Sequence, residues 1–426
     1  MPNRTQTLLR QAPATRQILA AQPGRVDWRK WPAARQIEFL FSFYTLAELQ
    51  QRVEPRSPLL LRFEHWVLGR TLTERQVARR VLLALASKRP ELLERPELVP
   101  AIGALSRFYL FRVRELADWQ PPGRNAFRQL DSLLRHLFDQ YGDVPQWVLE
   151  PWTSGAFEQN GVDLRELTIH LGSGRSLRSF AGLPVRLTKR LEHEMRQAPG
   201  GCSFLEALRF GQLAARGALA WIAPVLETRL GREIGPDDEF WLGVADFFAA
   251  TPMVDPRHFG PVCDWIHHKR TVGIEPEPPQ PGFSLKGRHM AGVLAAVEHW
   301  HQKLARLPRH AGQLLTSTWT PLPVADFLSG DDERVRISQL RTYAELVDEG
   351  RALRHCVASY LQSCQQGRCG IFSLKIEGVR ALTLEVLPSR QIVQARGRYN
   401  RSLTEDERFW LKRWARDAQL TLAKYL

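Results

Sequence analysis

The chain has 426 residues, of which 44% are hydrophobic and 24% charged, so it is long enough for two or three domains and has the composition of a globular protein. Lys and Arg outnumber Asp and Glu by 59 to 45, and the net charge of +14 favours a polyanionic partner, with nucleic acid ahead of an anionic membrane surface. Five cysteines are too few, and odd in number, for a secreted disulfide framework. Because no apolar signal core or membrane-length segment is visible, we expect a cytoplasmic protein that does not insert into membranes.

The N-terminal segment is rich in basic side chains. Residues 1–36 contain seven Lys and Arg residues against one acid, Asp27. We predict a basic mobile arm that becomes ordered on a polyanion. An Arg-rich, acid-poor start is also typical of an organelle transit peptide, but the prolines and short apolar runs of this segment favour the arm.

Helical patterns dominate the next 280 residues or so. Residues 37–170 are predicted to form a helical domain, because apolar residues recur three and four apart and prolines divide the pattern into short helices. Residues 171–320 are predicted to form a second helical region with a Pro-rich linker at 273–282. A basic cluster in this region supplies candidate phosphate contacts: Arg175, Arg178, Arg186, Lys189 and Arg190. "LGSGRSLR" favours a basic phosphate contact over a nucleotide loop, because no strand clearly precedes it and no Gly-Lys-Ser/Thr follows.

Residues 321–426 change to an α+β pattern. We predict two helices, "SQLRTYAELVDEG" and "RHCVASYLQSCQQG", then three antiparallel strands at 371–376, 380–387 and 391–397, then a closing helix. The fold class is therefore mainly α with a small C-terminal α+β domain (helix-helix, three-stranded antiparallel meander, helix).

The strands alternate between apolar and polar residues, so the polar side chains share one face of the sheet. These residues are Ser373, Lys375, Thr383, Glu385, Gln394 and Arg396. A solvated face explains the alternation, but the mixture of charges, hydroxyls and an amide also suits phosphate binding. Glu385 and Arg396 are predicted to form a cross-strand pair.

His355 and Cys356 lie near the predicted start of a helix, where a cysteine pKa is lowered, so Cys356 is a candidate nucleophile. Buried structural cysteine is the more common alternative. The spacing of Cys356, Cys364 and Cys369 matches no zinc motif, and "CDWIHH" with "HWH" shows no regular ligand spacing. The sequence therefore predicts no metal and no other cofactor.

The stretches "LRHCVASYLQSCQQGRCGIFSL", "TLEV" and "IVQARGRYNR" resemble the PcfJ-like family, which is named from the transfer operons of conjugative plasmids. Ala358 and Lys375 replace the Gly and Arg that the family often has. The resemblance is strongest over residues 340–418, and "GLPVRLTKR", "GPVCDWI" and "GFSLKGR" extend it upstream. It implies a mobile-element or DNA-transfer context and other components of such a complex as partners, but no established reaction. The motif residues that match are His355, Cys356, Ser359, Tyr360, Ser373, Glu385, Gln394, Gly397 and Asn400. Gly397 and Asn400 also suit a turn with φ > 0.

Three hypotheses follow for function. The first is a nucleic-acid-binding accessory factor that contacts DNA or RNA through basic patches and the polar sheet face, with Gln394 and Asn400 among the contacts. The second is a metal-independent nuclease that acts on RNA. It would use His355, Glu385 and Arg396 as base, acid and phosphate clamp, with Lys375 and Ser373 beside them. The third is an enzyme that depends on Cys356.

The nuclease hypothesis meets a geometric objection. The stripe of Leu353, Val357 and Leu361 predicts that the helix of His355 packs on the apolar face of the sheet, which puts His355 on the wrong side. We therefore place binding first.

Overall fold

The computed structural model describes residues 31–52, 70–88, 90–273, 277–306, 316–330, 334–423 and 426. The chain divides into two compact units, residues 1–211 and 212–426. Residues 1–30 of the predicted basic arm and residues 274–276 of the Pro-rich linker lie outside the described residues. Nowhere in the described ranges is a helix both long and apolar enough to cross a lipid bilayer.

The described residues of the first unit are mainly helical, and they include one short antiparallel hairpin, β1 (Glu158–Gln159) and β2 (Val162–Asp163). Several of its helices begin at a side-chain cap. The Asn125 side chain accepts from the Arg128 amide, and Asp163 accepts from the amides of the first turn of its helix. The helices are α1 (Ala33–Leu40), α2 (Leu46–Arg52), α3 (Leu72–Lys88), α4 (Val99–Phe108), α5 (Ala126–Phe138), α6 (Gln146–Ser154), α7 (Leu164–Gly172), α8 (Lys189–Arg196) and α9 (Phe204–Arg216), which contains the boundary between the units.

The second unit combines helices with a sheet. Its helices are α10 (Ile222–Leu226), α11 (Asp238–Ala249), α12 (Phe259–Thr271), α13 (Met290–Arg306), α14 (Tyr343–Leu353), α15 (Leu361–Gln365) and α16 (Glu405–Asp417). The six strands, in spatial order, are β3 (Phe327–Leu328), β4 (Val335–Gln339), β5 (Gly370–Ile376), β6 (Val379–Val386), β7 (Gln391–Arg396) and β8 (Thr421–Leu422). All neighbours are antiparallel except β7 and β8. The predicted fold class, mainly α with a small C-terminal α+β domain, is confirmed.

Two predicted helices are shorter than expected. Ser338 and Gln339 belong to β4 and pair with Ser373 and Phe372, so the first helix starts only at Tyr343. A capping box fixes this start, because Thr342 accepts from the Glu345 amide and Glu345 accepts in return. The second predicted helix is divided into a 3₁₀ turn, Val357–Tyr360, and the short helix α15.

The apolar face of the sheet packs on α16. Phe372, Leu384 and Trp414 are fully buried there, and the indole N–H of Trp414 donates to the Ala325 carbonyl at 3.0 Å. The ring centroids of Phe372 and Trp414 are 5.0 Å apart. This face therefore forms the apolar core that the strand period predicts.

The polar face of the sheet is covered by α14 and the 3₁₀ turn that follows it. The prediction that the Leu353, Val357 and Leu361 stripe packs on the apolar face is wrong. Val357 and Leu361 instead pack in a cluster with Ile371, whose side chain lies on the same sheet face as Glu385. This arrangement buries Ser373, Thr383 and Glu385, so the polar face is not a solvated surface.

Candidate functional site

His355 is placed on the polar sheet face by a sharp chain reversal after α14. Arg354 ends the helix in the left-handed conformation, with φ of 55°. Gly350 allows the chain to pass closely, because a Cβ atom at this position would lie 2.8 Å from the His355 carbonyl. The ring Nε2 of His355 then lies 2.9 Å from the Thr383 Oγ1. The geometric objection to His355 therefore disappears.

Glu349 continues this contact into the core. Its side chain is fully buried, and its carboxylate accepts from Thr383 Oγ1 at 2.9 Å and from Arg380 Nε at 2.7 Å. Burial raises the pKa of Glu349, while the hydroxyls of Ser373 and Thr383 and the Arg380 guanidinium oppose that rise. When Glu349 is ionised, the single hydroxyl proton of Thr383 goes to this carboxylate. Thr383 then accepts from His355, which fixes the Nε2–H tautomer.

Glu385 and Arg396 do not pair with each other. The strand register puts Glu385 opposite Gln394 and Arg396 opposite Thr383. Glu385, which is 5% exposed, accepts from Arg232 Nη1 at 2.7 Å, and Arg396 forms an ion pair with Glu227. The predicted cross-strand pair is wrong, because the chain around residues 227–232 covers this face and supplies both partners.

Cys356 is buried and its thiol donates to the Asp264 carboxylate at 3.0 Å. Burial raises the pKa of Cys356 well above its ordinary value, and the negative charge of Asp264 raises it further. The group is thus a thiol held in place, not the thiolate that a helix N-terminus would favour. Across the residues that the structure describes, no cluster of three or more His, Cys, Asp or Glu could hold a metal ion.

Three cavities of the second unit share Asn400 as a lining residue. Their volumes are about 630, 220 and 30 Å³. Asn400 and the preceding Tyr399 are both left-handed, with φ of 58° and 56°. Such strain in residues other than glycine concentrates at functional sites. The positive φ expected for this turn is found at Asn400 but not at Gly397, which has φ of −90°.

Six of the nine motif residues line the smallest of these cavities: His355, Cys356, Tyr360, Glu385, Gln394 and Asn400. The hydroxyl of Tyr360 donates to Gln394 Oε1 at 3.1 Å, which links two of them directly. Residues from three separate stretches of the sequence thus form one polar site.

Residues 298–410 match the family model described as PcfJ-like protein. The C-terminal part of the chain carries a PcfJ-like domain. Searches of curated proteins and of solved structures gave no significant match. The family match supports an association with plasmids at most.

The PcfJ-like domain does not contain the whole site. Three of its contacts come from residues that precede the matched range. Arg232 contacts Glu385, Glu227 contacts Arg396, and Asp264 contacts Cys356. Sequence reasoning missed these three residues, although Asp264 lies in the "GPVCDWI" stretch that resembles the upstream part of the family. It also missed Glu349, whose only sequence signal is an acid on a predicted helix.

The other predicted site residues do not line these cavities. Lys375 lies at a β-bulge opposite Arg336 and Arg380 and lines none of the three cavities, and Ser373 is buried beneath α14. The predicted phosphate contacts of the first unit are all exposed: Arg175, Arg178, Arg186, Lys189 and Arg190.

His355 should make the stability of the second unit sensitive to mild acid. Burial lowers the pKa of His355 to about 4, whereas an unfolded histidine titrates near 6.5. Between pH 6.5 and pH 4, His355 is protonated in the unfolded chain but neutral in the folded one. The free energy of unfolding therefore falls as the pH drops, by about 3 kcal/mol in total. We expect the difference in unfolding free energy between the wild type and His355→Gln to shrink by about this amount from pH 7 to pH 4.

Denaturant unfolding at several pH values measures this difference. Glu349 acts in the opposite sense, because a carboxyl with a raised pKa loses stability as the pH rises. Comparing the two proteins at each pH removes its contribution. Parallel curves for the wild type and the variant would contradict the buried, neutral imidazole.

Proposed function

We propose that the protein binds nucleic acid as an accessory factor of a mobile-element or DNA-transfer system. The observation that carries this proposal is the exposed basic patch at residues 175–190 of the first unit. Phosphate contacts of this kind give affinity without base specificity, so the patch fits DNA or RNA of any sequence.

The patch keeps most of its charge unpaired. Arg178 forms an ion pair with Glu192 at 2.6 Å. Four further cations form no ion pair with any residue that the structure describes: Arg175, Arg186, Lys189 and Arg190. Exposed guanidinium and ammonium groups of this sort can neutralise phosphates and release the counterions condensed on the nucleic acid, which drives binding.

Removing these four charges should weaken binding for every sequence. We expect the quadruple substitution of Arg175, Arg186, Lys189 and Arg190 by Gln to reduce the slope of log K against log salt by about 2–3, since each single-strand phosphate contact contributes about 0.7. Fluorescence anisotropy with labelled single-stranded DNA and RNA at several salt concentrations measures the slope.

A matched control removes the same charge elsewhere in this unit. Four exposed arginines serve: Arg80, Arg107, Arg124 and Arg128, each replaced by Gln. The control should keep nearly the wild-type slope. Equal losses in the two variants would mean that net charge, and not the patch, governs binding, and the patch assignment would then fail.

A metal-independent nuclease is a second candidate, favoured by the position of His355. The ring lies in the wall of the 630 Å³ cleft and is held by Thr383 and Glu349. A base oriented by a further polar group is the usual arrangement in acid–base catalysis. The ion pairs of Glu385 and Arg396 and the lowered pKa of His355 weigh against it, so binding stays first.

One assay distinguishes nucleic-acid binding alone from nuclease activity. Labelled RNA incubated with the full chain, with and without chelator, is followed by denaturing gel for integrity and by anisotropy for binding. Cleavage that persists with chelator and disappears in His355→Gln supports the nuclease, and intact RNA at saturation supports binding alone.

A further inference from the structure

A cleft of about 630 Å³ opens in the second unit between α12, α13 and the C-terminal end of α14. Pockets of 300–1,000 Å³ are typical of sites for small ligands. Its floor includes apolar side chains of α13 such as Leu294 and Val297, and its rim is polar and charged. Such a lining suits a ligand with one flat apolar part and one charged part.

Of the three arginines that line the cleft, Arg257 pairs with Asp255 and Arg351 pairs with Asp348, whereas Arg354 forms no ion pair with the described residues. Asp255 is engaged by Arg257 at 2.5 Å, and Glu298 accepts from Gln302 at 3.0 Å. Arg354 is exposed, and its guanidinium makes no hydrogen bond or ion pair with the described residues. A guanidinium without an ion-pair partner suits a phosphate group.

Aromatic and amide groups complete the rim. Tyr399 is 65% exposed although it is a large aromatic residue held in a left-handed conformation. The Asn400 side chain has no hydrogen-bond partner within the described ranges. His301 lines the cleft with a buried Nε2 atom that lacks a hydrogen-bond partner among the same residues. Buried polar atoms without partners are uncommon, and a ligand that pairs with them removes the cost.

We propose that this cleft binds one nucleotide of a single strand, with its phosphate on Arg354, its base stacked on Tyr399 and its base edge hydrogen-bonded by Asn400 and His301. Stacking on an exposed aromatic ring together with a cationic contact is how many proteins hold single strands. The inference rests on the proposed nucleic-acid binding and names a unit of that ligand, a nucleoside monophosphate. It also assigns a role to Arg354, which the sequence patterns did not single out, and to His301, which they considered only as a metal ligand.

Isothermal titration of the full chain tests the proposal. The probes are AMP, CMP, GMP, UMP and inorganic phosphate, each added alone. We expect the wild type to bind nucleotides more tightly than phosphate. Arg354→Gln should weaken nucleotide binding about 10-fold, since it removes a charge-assisted hydrogen bond. Tyr399→Ala should weaken it about 5–100-fold, and Tyr399→Phe should retain it because the stacking ring remains.

Two control variants lie on α16 outside the cleft, Lys412→Gln and Phe409→Ala, and both residues are exposed. They should bind nucleotides like the wild type. No nucleotide binding by the wild type, equal affinity for phosphate and nucleotides, or equal effects of Arg354→Gln and Lys412→Gln would each overturn the proposal.

The basic-patch variant separates this inference from the proposed function. With the four patch cations replaced, mononucleotide binding should persist while oligonucleotide affinity falls. If oligonucleotides fail to bind the wild type but mononucleotides bind in an Arg354- and Tyr399-dependent way, the cleft stands and the proposed function fails. If oligonucleotides bind but mononucleotides do not, the proposed function stands and the cleft proposal fails.

Discussion

Trp414→Ala should destabilise the second unit by about 3–5 kcal/mol, which is the usual cost of truncating a fully buried tryptophan. The side chain is 0% exposed on α16 and packs on Phe372 of the central strand β5. Its loss also leaves the Ala325 carbonyl without its indole donor, which adds about 1 kcal/mol. The alanine therefore opens a cavity at the centre of the apolar face.

Urea unfolding followed by circular dichroism measures the loss. Phe409→Ala is the matched control, because this aromatic residue of the same helix is 57% exposed. It should change stability by no more than about 0.5 kcal/mol. Equal effects of the two substitutions, or a loss under 1 kcal/mol for Trp414→Ala, would mean that α16 does not cover the sheet as described.

The apolar half of the C-terminal fold could be predicted because its signals are local. Alternation in "IFSLKI" and "RALTLEVL" assigns Phe372 and Leu384 to one face without knowledge of any partner. The closing helix is likewise marked by its own residues, since Thr404 and Glu407 form a capping box at its start. Neither prediction needs a contact that is distant in the sequence.

What covers the polar face could not be predicted, because strand period shows which residues share a face but not which element packs there. The stripe of Val357 and Leu361 is amphipathic and would fit either face. Tertiary contact decides between them: Glu349 and His355 bring polar groups that pair with Thr383, whereas the apolar face is already filled by α16. Short strands such as Phe327–Leu328 are equally invisible, because two residues show no period.

The sequence indicated the sheet residues of the candidate site but not the residues that pair with them. His355, Glu385 and Arg396 line one small cavity of the second unit. Their ion-pair and hydrogen-bond partners come from distant segments, since Arg232 and Glu385 are 153 positions apart in the sequence and Glu227 and Arg396 are 169 positions apart. An exposed salt bridge and a buried one look alike in a sequence, so the partners of such pairs can be assigned only when the fold is known.

Breaking the ion pair between Arg232 and Glu385 should also destabilise the second unit strongly. Both side chains are mostly buried, at 16% and 5% exposure, and their charged atoms lie 2.7 Å apart. Removing one partner of a buried pair leaves an uncompensated charge and typically costs about 3–5 kcal/mol. Arg232→Met should therefore destabilise the second unit by about this amount, because the carboxylate of Glu385 stays behind between the sheet and the residues that cover it.

The double variant Arg232→Met with Glu385→Leu tests the cause. Replacing both charges by apolar groups removes the unpaired carboxylate, so most of the loss should be recovered. An exposed pair in the same unit is the control: Arg334 and Glu377 are 51% and 71% exposed, and Arg334→Met should cost less than about 1 kcal/mol. If the double variant is as unstable as Arg232→Met, the arginine acts through its packing and not through its charge on Glu385. If it recovers, the polar face is held closed by ion pairs, and Glu385 is a structural anchor of the site instead of its proton donor.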